Sequence, residues 1–349
     1  MAGATSSEGP ARSSRPLSPR SGRSPADGRE VDALQESRLA RVDALNVVAC
    51  RGEVVEAWHC VHAVAVTDGK IVASCGDPEL VTTFRSSAKP LQALPVVRAR
   101  PDLDDAEIAI ACASHLHRPD QLEPVQRLLT KADATEDDLE CGPEPTRLEH
   151  NCSGNHAAML LLCRVNDWPT EGYRLPTHPC QQAMLAEIAS AAEVEPESMP
   201  SAIDGCGVVT YALTLERMAH AFSRLESVDG GLRAADAMRA HPELIRGAGA
   251  ADTELMRLGD GWVAKGGAEG LLCAARGGLG IALKVADGAR RPIRGALAAF
   301  LEQLGFDAGD LADVPVKNSR GEVVGAVVVH QTELARLRGG PLPQPSIPD

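Results

Sequence analysis

The chain has 349 residues, a net charge of −13 and 44% hydrophobic residues, with aromatics at only 3%. That length suits one large domain or two modest ones, around a core built mostly from Ala, Val and Leu. The acidic balance argues against nucleic acid, whose phosphates need a basic face, and no apolar run is long enough to span a membrane.

Residues 1–38 are rich in Ser, Pro, Arg and Gly and hold little that can pack, so a disordered tail is expected there. They lack the amphipathic apolar face of a transit peptide and the hydrophobic core of a secretory signal, which points to the cytoplasm. A domain is expected over 39–336. A second disordered end, finishing in GGPLPQPSIPD, is expected over 337–349. The ten cysteines are scattered and form no CxxC pair. In a reducing compartment most read as small core residues and a few as ligands.

The first elements read as antiparallel strands. Apolar residues alternate in VHAVAVT (61–67), Asp68-Gly69 makes a hairpin turn, and KIVASC (70–75) returns. FRSSAKPLQALP (84–95) follows, with a helix expected to begin close to Ser87, because Pro90 is tolerated only in a first turn. Five segments between about 101 and 240 carry apolar residues at helical spacing, from DLDDAEIAIACAS to TLERMAHAFSRL. Strands return in GLLCAAR and GIALKVAD, followed by a helix in RPIRGALAAFLEQLG and a strand in EVVGAVVVH. Strands at both ends and helices between them predict an α/β fold. An antiparallel sheet is built from both chain ends and flanked by helices, with a helical region inserted.

Ser86 and Lys89 stand one helical turn apart and can meet on one face. A serine hydroxyl attacks only when a base takes its proton, and a lysine serves once burial or a nearby cation lowers its pKa. A helix N-terminus beside the serine offers N–H groups to a developing oxyanion, so the pattern suits acyl transfer. SxxK also arises by chance, and Ser87 is equally suited to cap the helix. Four stretches supply context, each with an ordinary structural alternative. ACASHLHRP (111–119) brings Ser114 and His115 to the end of an apolar segment, or merely caps it. HNCSGNHAAML (150–160) opens a helix where an anion can bind, or is a plain N-cap. IDGCGVVTYAL (203–213) flanks Cys206 with two glycines, for a close backbone approach or a plain turn. AKGGAEGLL (264–272) puts Lys265 at a strand edge, as a site cation or a solvated lysine.

Together with DWPTEGYRLPTHPCQ, AHPELIRGAGAADTELM and GLGIALKVADG, these pieces resemble the asparaginase II family, the Rhizobium-type or class 3 L-asparaginases. The resemblance covers roughly residues 45–305. It implies hydrolysis of L-asparagine to L-aspartate and ammonia, a fold like serine β-lactamases and glutaminases, and a homodimer. Carried over by motif, Ser86 and Lys89 form one catalytic pair and Ser114 and Lys265 a second, with Ser86 as nucleophile and Lys89 as its base. Arg85 stands beside the nucleophile. Substrate-binding candidates are Arg85, Asn155, His156 and Gly247, with Gly249 nearby. The family also carries zinc on two cysteines and a lysine. Here these positions are Cys152, Cys206 and Asn155, an asparagine replacing the lysine. An amide oxygen is the weaker donor, so zinc binding is expected to be weak or absent, with no cofactor required. His117 and Arg118 replace the small residues that usually follow ASH. Two other functions stay open: a serine acyl-transferase or β-lactam-recognising enzyme, and a non-catalytic binder of an amide ligand.

Overall fold

The computed structural model describes residues 44–330. The tails expected at 1–38 and 337–349, and the expected domain ends at 39–43 and 331–336, lie outside the described residues.

The chain opens on three antiparallel strands: β1 (Leu45–Arg51), β2 (Val54–Thr67) and β3 (Lys70–Cys75). The strand and the hairpin read in VHAVAVT and KIVASC are found, and Val61 to Val66 are all buried, His62 among them. β2 runs through the middle of the main sheet, where burial of consecutive residues means that both faces are covered. A short strand β4 (Val81–Thr83) leads into a 3₁₀ turn at Arg85–Ala88. The turn runs on into the one-turn helix α1 (Lys89–Gln92) and then α2 (Leu94–Ala99).

The inserted helical region begins with α3 (Asp105–Ala111), which starts on a reciprocal capping box between Asp104 and Glu107. It continues through α4 (Pro119–Lys131), α5 (Ser153–Val165) and α6 (Pro179–Ala192). Helix α5 lies flush on α3 because residue 154 has no side chain. A Cβ on Gly154 would sit 2.4 Å from the Ile110 carbonyl oxygen. Strands β5 (Ser201–Ile203) and β6 (Val209–Thr214) then pair with β4 in a second, three-stranded sheet ordered β4-β6-β5. The sequence reading does not anticipate this sheet, since three-residue strands are too short to show a period. Helices α7 (Leu215–Ser223), α8 (Gly231–Ala240), α9 (Pro242–Ile245) and α10 (Ala251–Arg257) follow.

The main sheet is completed by β7 (Val263–Gly266), β8 (Leu271–Arg276) and β9 (Leu279–Val285), then helix α11 (Ile293–Gln303), and finally β10 (Pro315–Lys317) and β11 (Val323–Val329). Its order among the described residues is β10-β11-β1-β2-β9-β8-β7, with β3 also on β2. Neighbours are antiparallel throughout, so strands from both chain ends meet as β1 on β11 and β2 on β9. Helices α7 and α11 both pack on β2 and β9. The expected mixed α/β architecture, an antiparallel sheet from both ends flanked by an inserted helical region, is the one found.

Candidate active site

The turn after β4 is pinned from both sides of the backbone. The Phe84 N–H donates to the Tyr211 carbonyl (2.8 Å), and the Arg85 N–H donates to Thr210 Oγ1 (3.0 Å). Both partners belong to β6. Arg85 takes a left-handed backbone with φ of 49°. For a residue with a side chain this costs roughly 1–3 kcal/mol and persists only where the surroundings impose it. Its guanidinium pairs with Asp204 Oδ1 at 2.9 Å, and that bond raises the arginine's pKa further. Asp204 lies in the turn between β5 and β6. The small sheet therefore fixes both the backbone and the side chain of the residue just before Ser86.

Ser86 is half-buried and lines a cavity of about 560 Å³. Its hydroxyl makes no hydrogen bond among the described residues. Ser87, one residue on, points away and donates to the backbone carbonyl of Lys265 (2.9 Å), so it ties the turn to β7 and does not cap the helix. Lys89 is buried, and its Nζ donates to the Ala113 carbonyl (2.5 Å) and to Ser114 Oγ (3.2 Å). The lysine one turn after Ser86 thus reaches the second serine segment. Ser114 also lines the cavity, held by its N–H on the Ile245 carbonyl (2.8 Å).

Lys265 is fully buried on β7. Its Nζ donates to the Gly266 carbonyl (2.5 Å) and lies 3.8 Å from Asp252 Oδ2. Burial brings its pKa down from 10.5 to about 7; Asp252 opposes the fall, while Lys89 and Arg246 add to it. Asp252 is itself held by the N–H groups of Gly266 and Thr253, each at 2.9 Å.

Cys152 and Cys206 also line the cavity and hydrogen-bond each other. That bond, helped by the Lys89 charge and by His150, holds the Cys152 thiol well below its usual range, while the bond and burial push Cys206 up. The Cys152 Sγ also donates to Asn151 Oδ1 (3.1 Å). Zinc does not fit these donors. Asn155 turns its amide to the Ala111 carbonyl (3.1 Å), and among the described residues no three His, Cys, Asp or Glu side chains are grouped to hold a metal. Two sulfurs fall short of the three protein ligands that zinc takes.

Of the other residues singled out in the sequence, Asn155, His156 and Gly247 do not line the cavity, whereas Gly249 does. His156 is fully buried, with Nδ1 2.6 Å from the Tyr173 hydroxyl, and desolvation takes its pKa down to about 3. The Gly247 N–H donates to Thr253 Oγ1 (3.1 Å). His115 is buried against Ser153 Oγ (2.9 Å) and does not enter the site. His117 and Arg118 are not at the cavity mouth. The Arg118 guanidinium pairs with Asp120 and donates to the Glu243 carbonyl.

The sequence reading misses Asp204, Asp252 and above all Arg246. Arg246 lines the cavity, half-buried, with Nη1 on the Ser114 carbonyl (2.9 Å). Its loop is fastened by the Gln121 amide, which donates to the carbonyls of Glu243 and Arg246 at 2.9 Å each. The visible signal was an arginine set between a short helix and two glycines in ELIRGAGA, a cation at a chain bend.

The family model described as L-asparaginase II matches residues 47–329. No curated protein matches the chain. Among solved structures, the chain is similar to Mglu in its native form at 14% identity and a TM-score of 0.41, covering 72% of this chain and 65% of that one. It is also similar to SurE with D-Leu (17% identity, TM-score 0.36, 84% of this chain and 79% of that one). A third is the octameric penicillin-binding protein homologue from Pyrococcus abyssi (10% identity, TM-score 0.32, 81% and 78%). The chain thus spans just under two thirds of the length of Mglu.

Proposed function

Because the chain belongs to the L-asparaginase II family, we propose that it is an amidohydrolase that converts L-asparagine to L-aspartate and ammonia by serine–lysine chemistry. The observation that carries this reading is that Ser86, with an unbonded hydroxyl, and Ser114 line one cavity, with the buried Lys89 donating to Ser114 from behind it. Ser86 attacks the side-chain carbonyl carbon and its proton passes to the lysine–serine network. The C–N bond of the tetrahedral intermediate breaks, ammonia leaves with a returned proton, and water hydrolyses the ester. Lys265 supports the relay, since an amine with a pKa of about 7 is present in both forms near neutrality. Arg246 is the candidate partner for the substrate's α-carboxylate, through a charge-assisted bond. Asn155, His156 and Gly247 act behind the cavity wall, supporting the segments that line it.

A second assignment has its own support. Lys89 contacts Ser114 and not Ser86, so Ser114 is the alternative nucleophile. Ammonia release from L-asparagine by the wild type, Ser86→Ala and Ser114→Ala tests both, together with mass-spectrometric mapping of an acyl adduct trapped by rapid acid quench. Loss of the nucleophile is expected to lower kcat by at least about a thousandfold. An adduct on Ser86 supports the first assignment and one on Ser114 the second. No ammonia from the wild type would refute the amidohydrolase. The same reading carries a homodimer and a small-molecule substrate as its partners.

A further inference from the structure

The cavity is larger and more cationic than a free amino acid requires. At about 560 Å³ it falls in the range that holds drug-sized ligands. From the two serines it extends to the start of helix α11 and the residues before β10, where Ile293 and Val314 provide an apolar wall. Five arginines line it (Arg85, Arg246, Arg290, Arg291 and Arg294), against three carboxylates, Glu144, Asp204 and Asp252. Asp204 is engaged by Arg85, and Asp252 by Lys265 and two backbone N–H groups. Glu144 lies 3.8 Å from His150 and is largely in solvent.

The arginines at the far end differ in what holds them. Arg291 donates from Nε to His59 Nε2 (3.0 Å), and Asp287 holds the other ring nitrogen of that histidine (2.6 Å). Arg294 donates to the Asp310 carbonyl (2.8 Å), while its Nε is buried without a partner. The Arg290 side chain has no hydrogen bond and no carboxylate partner among the described residues. It lies close enough to Arg246 for the two cations to oppose each other. Arg290, exposed and without a carboxylate partner among the described residues, and Arg246, which has Asp252 as its nearest carboxylate, line one cavity and together make a place for an anion.

We propose that Arg290 receives a carboxylate carried on the nitrogen side of the substrate amide, so that the cavity takes β-aspartyl-linked amino acids as well as the simple amide. This rests on the amidohydrolase reading, in which Arg246 takes the α-carboxylate and leaves Arg290 for a second one. The reaction is the same acyl transfer. Serine adds to the carbonyl carbon, the C–N bond breaks, and the amine leaves protonated with its own carboxylate. Water then completes the hydrolysis, and no oxidant or co-reactant is needed. The apolar wall of Ile293 and Val314 would lie along the leaving amino acid.

The test is a cycle between ligand charge and Arg290. Values of kcat/KM are measured for β-aspartylglycine and for its uncharged C-terminal amide, with wild type, Arg290→Ala and Arg290→Lys. One charge-assisted hydrogen bond predicts that the wild type prefers the carboxylate by roughly 10- to 100-fold. Arg290→Ala should abolish that preference and Arg290→Lys restore part of it. An equal preference in wild type and Arg290→Ala overturns the proposal, as does hydrolysis of L-asparagine with none of β-aspartylglycine. If no amide is hydrolysed at all, the amidohydrolase reading fails separately, and calorimetric titration with the same two ligands decides the anion site. Tighter binding of the carboxylate that is lost in Arg290→Ala supports it. Equal or absent binding overturns it.

Discussion

Replacing Lys265 by methionine should flatten the pH dependence of folding stability while abolishing turnover. The lysine is fully buried, and its pKa falls from 10.5 to about 7. At 1.36 kcal/mol per pH unit, holding it charged in the fold costs roughly 5 kcal/mol. Below pH 7 the lysine is protonated folded and unfolded, and the whole cost is felt. Between pH 7 and 10.5 the unfolded chain binds more protons than the folded one, so stability rises with pH through that window. From pH 6 to pH 9 the wild type should therefore gain roughly 2–3 kcal/mol from this one group. Lys265→Met should lack that gain, so the difference in stability between the two proteins should shift by the same amount. The absolute effect at pH 6 is smaller than 5 kcal/mol, because the variant leaves the Asp252 carboxylate without its cation 3.8 Å away. Replacing both residues, Lys265→Met with Asp252→Asn, removes that complication, and exchange of a buried ion pair for neutral groups is often neutral or stabilising. Urea unfolding of the three proteins at pH 6 and pH 9 provides the numbers. Parallel pH profiles for wild type and Lys265→Met would refute the reasoning, since a lysine that costs nothing to bury cannot have so low a pKa.

Two further outcomes follow from contacts around the site. Gly154→Ala drives a methyl group to within 2.4 Å of the Ile110 carbonyl oxygen. Helix α5 must move away from α3, and a loss of about 1–3 kcal/mol is expected as a fall in urea midpoint; an unchanged midpoint would mean that the two helices do not pack as closely. Asp204→Ala removes the partner of Arg85, whose side chain and that of the aspartate are 22% and 15% exposed. Because solvent screens part of that charge, the cost should be about 1–3 kcal/mol, below that of a fully buried pair. Turnover should fall further than stability, since the left-handed Arg85 backbone aims Ser86. Equal retention of kcat and of melting temperature would remove Arg85 from any positioning role.

The parts of the fold legible in the sequence were those with a strong local signal. The Asp68-Gly69 hairpin, the long amphipathic helices and the return of strands after residue 263 all show a period or a turn residue. The small sheet did not, because β4 and β5 are three residues each and are held by β6, which lies more than a hundred residues from β4. Alternation is the mark of a strand with one wet side, whereas Val61 to Val66 of β2 are covered on both faces, which only its place in the middle of the sheet explains. At the site, the residue types could be named from motifs, but their pairing could not. Ser86 and Lys89 are neighbours along the chain, yet the lysine side chain is long enough to bypass Ser86 and reach Ser114. Arg246 sits in the matching stretch AHPELIRGAGAADTELM without being singled out there, and Arg290 carries no motif. They matter because the fold brings two bends of the chain, forty-odd residues apart, to one cavity.

Behind the cavity wall, Lys265 lies within electrostatic reach of Lys89 and Arg246, with Asp252 as the opposing carboxylate. Such an arrangement lowers the stability of the empty protein, since Lys89 and Arg246 add to the fall in the Lys265 pKa. It also makes substrate binding and proton affinity reciprocal. A carboxylate entering beside Arg246 supplies the missing negative charge, favours the protonated form of Lys265 and so raises its pKa, and by linkage a protonated Lys265 binds that carboxylate more tightly. On this account the buried cations are not a defect of packing. They make the affinity for a bound carboxylate and the proton affinity of Lys265 depend on each other, at a cost in stability confined to a few residues around one cavity.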